Sequence, residues 1–345
     1  MKNNSIKHQL FKETDINDPF FTSLKADYPG FEEWFAKKRD QGVYVLYDDK
    51  NKLQGFLYLK KEFGPVEDVS PIIEANNVLK VGTFKVNAHG TKMGERFIKI
   101  ILDNAVRTNS EICYVTILPK QKSLISLMET FGFRYHGKKG DENVYVKNMT
   151  AITGDIEYDY PLISTDNSGK YLLSIYPRYH SILFPDSILT TENKDIITDI
   201  SYTNSIHKIY VCTMNLDELK KGDIVVIYRT AEYGKSAEYS STATSICTVE
   251  DVVPQESFES FDEFFKYASQ YSVFDKEDLR KWFNKGGCKA IKMLYNAALP
   301  KRIVRHDLIE SLGLDRSAYW GFFELTDEQF WGICERGKIS PLLLV

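Results

Sequence analysis

His89-Gly90-Thr91-Lys92-Met93-Gly94 stands between a run of mostly apolar residues, 78–86, and an amphipathic run, 95–107. Glycine lets backbone N–H groups approach a ligand closely. The N-terminus of a following helix adds free donors and partial positive charge, which suits a phosphate or pyrophosphate. His89 and Lys92 in the turn, and Arg96 just after it, supply cations for the same anion. The turn is neither a GxGxxG dinucleotide fingerprint nor a GxxxxGK[ST] phosphate loop, and the two glycines alone fit an anion site or an ordinary strand-to-helix loop. Further along, three clusters combine cations with flat rings, the pairing an RNA site needs. The densest is Tyr176, Arg178, Tyr179 and His180; the others are Arg229, Tyr233 and Lys235, and Lys301, Arg302, Arg305 and His306.

These residues need a scaffold, and the periodicities supply one. Residues 13–40 space their apolar residues three or four apart, which predicts one or two helices. Alternating runs at 43–47 and 53–59 flank the turn-like DDKNK and predict a hairpin. Strand 78–86 then runs into the glycine turn and a helix over 95–107, whose apolar residues at 97, 98, 101, 102 and 105 share one face. A strand at 112–118, a short helix at 121–130 and a strand at 143–147 complete this half. Residues 150–168 are polar and turn-rich and are expected to be a linker. Beyond them, strands are expected at 171–175, 209–214, 224–228 and 243–253, and helices at 258–269, 276–284, 306–312 and 326–336. Residues 291–304 read as a strand with a break at Pro300.

The 345 residues suit two domains. With 43% hydrophobic and 27% charged residues, global disorder is excluded. The net charge of −4 divides unevenly. Residues 1–150 hold 23 Lys and Arg against 19 Asp and Glu, whereas residues 151–345 hold 21 against 29. Cys113, Cys212, Cys247, Cys288 and Cys334 show no CxxC spacing, so a zinc ribbon, a redox pair or a disulfide framework is not expected. No run approaches the ~18 apolar residues of a membrane span. The polar N-terminus lacks a signal peptide's apolar segment, so a cytoplasmic protein with reduced thiols is expected.

In element order, residues 1–149 resemble the GNAT family of N-acetyltransferases. The family's acyl-CoA motif, Arg-Gly-x-Gly-x-Gly, corresponds to His89-Gly90-Thr91-Lys92-Met93-Gly94, with the first and last glycines kept. A second family feature, Asn-x-x-Ala-x-x-x-Tyr-x-x-x-Gly-Phe, corresponds to Gln121, Leu124, Met128 and Gly132-Phe133, with only the Gly-Phe kept. The resemblance implies transfer of an acyl group from acetyl-CoA to an amine. It implies that Phe84 and Val86 at the strand end, and His89, Gly90, Thr91, Lys92, Met93, Gly94 and Glu95 in the turn, hold the CoA. Many relatives carry a proton-donating tyrosine where this chain has Met128. Tyr135, Tyr145 and Ser123 are the candidates to replace it, and Glu74 is the candidate base.

Residues 169–335 resemble an ASCH domain of the PUA-like superfamily. The likeness rests on Tyr171-Leu172-Leu173-Ser174-Ile175-Tyr176-Pro177, on Lys221-Gly222-Asp223 leading into Ile224–Tyr228, and on the following strand at 243–253. The superfamily's Gly-x-Lys-x-x-Glu-x-Arg signature is absent, the matching segment being Phe184-Pro185-Asp186-Ser187-Ile188-Leu189. The expectation is an α+β chain with a GNAT-like mixed sheet with helices over 1–149, a linker over 150–168, and a small PUA-like β-barrel with helices over 169–345. The expected function is acyl-CoA-dependent N-acyl transfer to an amine, RNA- or nucleotide-linked, of an RNA-modifying or toxin–antitoxin kind. Tyr176, Arg178, Tyr179, His180, Arg229 and Lys235 are the expected RNA contacts. The alternative is a catalytically weak CoA- and RNA-binding sensor or interaction module. No metal and no membrane partner is expected.

Overall fold

The computed structural model describes residues 6–87, 92–187 and 205–345. They divide into two compact units, one ending at Thr150 and the other beginning at Ala151.

The first unit is a seven-stranded sheet ordered β1-β2-β3-β4-β5-β7-β6. Its strands are β1 (Ile6–Leu10), β2 (Gly42–Tyr47), β3 (Leu53–Phe63), β4 (Asn77–Val86), β5 (Ile112–Ile117), β6 (Arg134–Lys139) and β7 (Glu142–Asn148). Helices α1 (Thr22–Asp27) and α2 (Phe31–Lys37) precede β2, α3 (Met93–Arg107) joins β4 to β5, and α4 (Lys122–Thr130) follows β5. The β2–β3 hairpin closes where the Asp48 carboxylate accepts from the backbone N–H groups of Lys50 and Lys52, each at 2.9 Å. Every pairing is antiparallel except β4 with β5, which the crossover through α3 makes parallel. The expected face of α3 is buried, with Phe97, Ile98, Ile101, Leu102 and Ala105 fully enclosed. The opposite face of the sheet carries an aromatic cluster of Phe11, Phe20, Phe21, Phe31, Phe35 and Phe56, with mostly edge-to-face rings that fix α1 and α2. Strands β1 and β6 escaped the sequence analysis. Both lie at edges of the sheet, where ladder hydrogen bonds rather than burial hold polar strands.

The second unit is a six-stranded sheet ordered β13-β8-β10-β11-β12-β9. It comprises β8 (Lys170–Ile175), β9 (His207–Cys212), β10 (Ile224–Arg229), β11 (Thr242–Pro254), β12 (Lys289–Val304) and β13 (Phe322–Glu324). Its helices are α5 (Ile156–Asp159), α6 (Pro177–Leu183), α7 (Ala237–Ser240), α8 (Phe261–Ala268), α9 (Lys276–Lys285), α10 (Arg305–Leu312) and α11 (Asp327–Gly337). Every residue of β8, β9 and β10 is buried. The expected barrel is an open sheet among the described residues, since edge strands β9 and β13 do not pair with each other. Strand β12 runs through Pro300 instead of breaking. Its partners jump from Ala298 to Ile303 between Ser245 and Ala243 of β11, and that irregularity accommodates a residue without an N–H.

Residues 150–168, expected as a linker, are packed into the second unit. Tyr160 is fully buried and its hydroxyl donates to the Tyr295 carbonyl at 3.1 Å, while Ile163 bridges Leu344. The turn signals there mark hydrogen-bonded loops. Asp159 accepts from the N–H groups of Thr153 and Gly154.

Candidate active site

The parallel pair β4–β5 holds together only from Val78–Ile112 to Val81–Val115. Between β3 and β4 the register shifts at this level, Leu59 facing Val81 and Tyr58 facing Thr83, so Gly82 is an extra residue. This is a β-bulge, which bends its strand. Only glycine fits there, because a Cβ would meet Tyr58 Cδ1 at 2.6 Å. Beyond the bulge, Gly82 to Val86 pair with β3 but not with β5. The strand edge turned toward β5 therefore keeps backbone N–H and C=O groups for a ligand.

A cleft of about 960 Å3 opens at this split. Successive strand residues point to opposite faces of the sheet, and Phe84 and Lys85 show what lies on each. The Phe84 ring packs 5.6 Å from Phe97 of α3, whereas Lys85 Nζ donates to Ser23 Oγ in α1 at 2.6 Å. The split thus joins an α3–α4 side to an α1–α2 side through the sheet.

On the α3–α4 side, Phe84, Val86, Lys92, Gly94 and Glu95 line the cleft. Lys92 occupies the N-cap of α3. A lysine side chain only donates, so it cannot satisfy the first-turn N–H groups. Gly94 lets α3 approach α4, since a Cβ would meet Leu127 Cδ2 at 2.7 Å. Met93 begins α3 and is not among the lining residues. His89, Gly90 and Thr91 lie outside the described residues.

The expected catalytic trio is not in the cleft. Glu74 is exposed in the loop before β4, at the strand end remote from the bulge. Tyr135, 55% exposed on edge strand β6, meets buried Tyr145 of β7 edge-on with ring centroids 5.9 Å apart. Neither tyrosine lines the cleft, whereas Ser123 at the start of α4 does. Met128 is fully buried.

Ionisable residues that the sequence analysis passed over stand on the α1–α2 side instead: Glu62 of β3, Lys80 of β4, Tyr28, and Glu142 of β7. The Tyr114 hydroxyl donates to Glu62 Oε2 at 2.7 Å, and Lys60 Nζ lies 2.7 Å from Glu62 Oε1. Burial pushes the Glu62 carboxyl up, but the Lys60 and Tyr114 hydrogen bonds and the Lys80 charge outweigh it and hold the group below the usual carboxylate range. Glu62 is thus a carboxylate ionised at neutral pH. Tyr28 donates to Glu142 at 2.7 Å, and burial with that partner raises the Tyr28 pKa. The signal missed was the charged tail of β3, Lys60-Lys61-Glu62, which continues the strand past its apolar run. Replacing Tyr114 by Phe removes one of the donors to Glu62. A carboxylate relieved of a donor becomes easier to protonate. In Tyr114→Phe the Glu62 carboxyl, followed by NMR, is expected to titrate at higher pH than in the wild-type chain, and an unmoved titration would sever Tyr114 from Glu62.

No protein-family model and no curated protein matches this chain. Solved structures do. The ASCH protein of Zymomonas mobilis is 9% identical, with a TM-score of 0.34, over 48% of this chain and 94% of its own. A GNAT family acetyltransferase from Elizabethkingia anophelis, solved with acetyl-CoA bound, is 11% identical with a TM-score of 0.32, over 42% of this chain and 98% of its own. The N-acetyltransferase PseH of Campylobacter jejuni is 14% identical with a TM-score of 0.28, over 41% and 97%. GNAT and ASCH proteins are the two families whose patterns the sequence resembles.

In the second unit the expected RNA contacts divide between the surface and the interior. His180 is fully buried, its Nε2 2.8 Å from Thr244 Oγ1. Burial, with the charges of Arg229 and Arg302, lowers its pKa to about 3, so it is neutral. Tyr179 and Arg229 are also buried. The Arg178 guanidinium lies over the Tyr179 ring, 4.3 Å from its centroid. Arg229 and Lys235 both pair with Glu232. Tyr176, Arg178 and Lys235 are exposed, whereas Tyr179, His180 and Arg229 face the interior. Glu238, His306 and Glu310 converge nearby, yet Arg316 already bridges both carboxylates. All five cysteines are free and buried, and burial pushes their thiols up, Cys212 and Cys288 to about 11, so none is poised as a nucleophile. Among the described residues, no helix is long and apolar enough to cross a membrane.

Proposed function

We propose that the first unit is an acyl-CoA-dependent N-acyltransferase that acts on an amine. The observation that carries this is the cleft through the sheet at the Gly82 bulge. One side offers an unpaired strand edge, Gly82 to Val86, beside a helix N-terminus that Lys92 cannot cap. That donor set suits an extended, amide-containing chain ending in a pyrophosphate, which is the chemistry of CoA. The other side holds the ionised carboxylate of Glu62.

The amine lone pair attacks the thioester carbonyl carbon, a C–N bond forms and the C–S bond breaks. Backbone N–H groups of β4 stabilise the negative charge that develops on the carbonyl oxygen. Glu62 receives the ammonium proton, directly or through water, and Ser123 donates a hydrogen bond to the departing thiolate. Isothermal titration with acetyl-CoA, followed by an assay for free CoA thiol with a panel of primary amines, tests this. Saturable binding and amine-dependent thiol release are expected. The absence of both would overturn the proposal.

A further inference from the structure

Lys80 is the feature of the cleft that acyl transfer by itself does not explain. The residues Lys60, Lys80 and Tyr114 stand directly opposite one another across β3, β4 and β5, so their side chains form a row on one face of the sheet. Three ammonium groups meet there, those of Lys60, Lys80 and Lys139, and all three residues line the cleft. Two carboxylates accompany them. Lys60 pairs with Glu62 at 2.7 Å, and Lys139 pairs with Asp68. Lys80 is left over. Its Nζ lies 5.3 Å from the centroid of the Tyr114 ring, and it makes no ion pair with any described residue. Burial, then the neighbouring Lys139 charge, lowers its pKa, and Glu62 and Asp68 offset this only in part. Of these three ammonium groups, Lys80 is the one without a carboxylate at ion-pair distance among the described residues, and it stands beside the aromatic wall of Trp34 and Tyr58.

A partly buried ammonium with no anion of its own, in the wall of a substrate cleft, is a place for a ligand's anion. We propose that Lys80 binds an acidic group, a carboxylate or a phosphate, carried by the acceptor amine, so that the cleft selects anionic amines. This rests on the acyl-transfer function proposed above and names its acceptor class. Lys80 adjoins Val81, the last residue of β4 that pairs with β5, so an acidic group seated on Lys80 keeps the amine in the cleft at the split.

Matched acceptors test it: phosphoethanolamine against ethanolamine, and β-alanine against β-alaninamide. On the wild-type chain the acidic member of at least one pair is expected to show a KM lower by about 10-fold or more, and the pair that does so distinguishes phosphate from carboxylate. Lys80→Met should erase that preference, Lys80→Arg should retain part of it, and the acetyl-CoA Kd should stay as it was in both. A neutral amine preferred on the wild-type chain, or a preference that survives Lys80→Met, overturns the proposal. A second measurement needs no turnover. NMR of the Lys80 Cε–Hε signal, assigned by its loss in Lys80→Met, is followed through a pH titration with and without inorganic phosphate. Phosphate is expected to raise the Lys80 pKa by about one. A titration unmoved by phosphate overturns the anion site, while acetyl-CoA that fails to bind overturns acyl transfer instead.

Discussion

Replacing Glu62 by Gln should lower kcat by about 100- to 10,000-fold, the range that a positioned general base contributes. Gln keeps the shape of the side chain and can still accept from Tyr114, so the β3–β5 contact survives and the acetyl-CoA Kd should not move. The wild-type pH profile carries a second signature. Because Glu62 is held below the usual carboxylate range, it is ionised throughout the neutral region. The rise in rate between neutral and mildly alkaline pH should therefore track the acceptor amine's own deprotonation, and its midpoint should change when the acceptor is changed. Steady-state kinetics with two amines of different pKa measure both effects. An equally fast Glu62→Gln chain would remove this carboxylate from the reaction and return the search for a base to water and to Glu142.

Acid should weaken the second unit far above the usual carboxylate range. His180 in the unfolded chain takes up a proton below its ordinary pKa of 6.5, whereas the buried ring resists it down to about 3. Protonation thus favours the unfolded state throughout that window, and stability is lost as the pH falls from 6.5 toward 3. The slope approaches about 1.4 kcal/mol per pH unit, so the step from pH 6.5 to pH 5 costs about 2 kcal/mol. Glu250, held low by its 2.7 Å partner His207 and by Lys292 against the opposing effect of burial, adds to the loss as the pH falls below its ordinary 4.5. Urea unfolding at several pH values, followed by the fluorescence of Trp282, Trp320 and Trp331, reads the second unit. His180→Gln should flatten the dependence between pH 6.5 and 5. An unchanged slope in that variant would assign the acid sensitivity to other groups.

The two halves of the site differ in how far the sequence disclosed them. Phe84, Val86, Lys92, Gly94 and Glu95 follow one another along a strand, a turn and a helix, so the resemblance of that one continuous segment to the GNAT motif was enough to name them, and all five line the cleft. Glu62 and Lys80 were beyond such reasoning. They are 18 residues apart and meet only through the register of β3 on β4, which the bulge at Gly82 shifts by one residue. Glu74 was preferred for standing just before the strand, but a strand of ten residues carries its two ends far apart. Tyr135 and Tyr145 follow Met128 in the chain, and the sheet order places them at its β7–β6 edge. His180 and Arg229 had the composition of a nucleic-acid surface. They are buried because Pro177 starts a helix that turns His180 inward and because all of β10 lies in the core.

The sequence by itself determined two domains and most of the strands and helices, because these depend on the spacing of apolar residues and on backbone freedom within a few positions. The tertiary structure alone decided that β4 splits from β5 at a one-residue bulge, that Glu62 and Lys80 face the resulting cleft, and that His180 is sealed in a core. Each of those outcomes depends on which residues face one another across strands far apart in the chain, and no local pattern encodes that register.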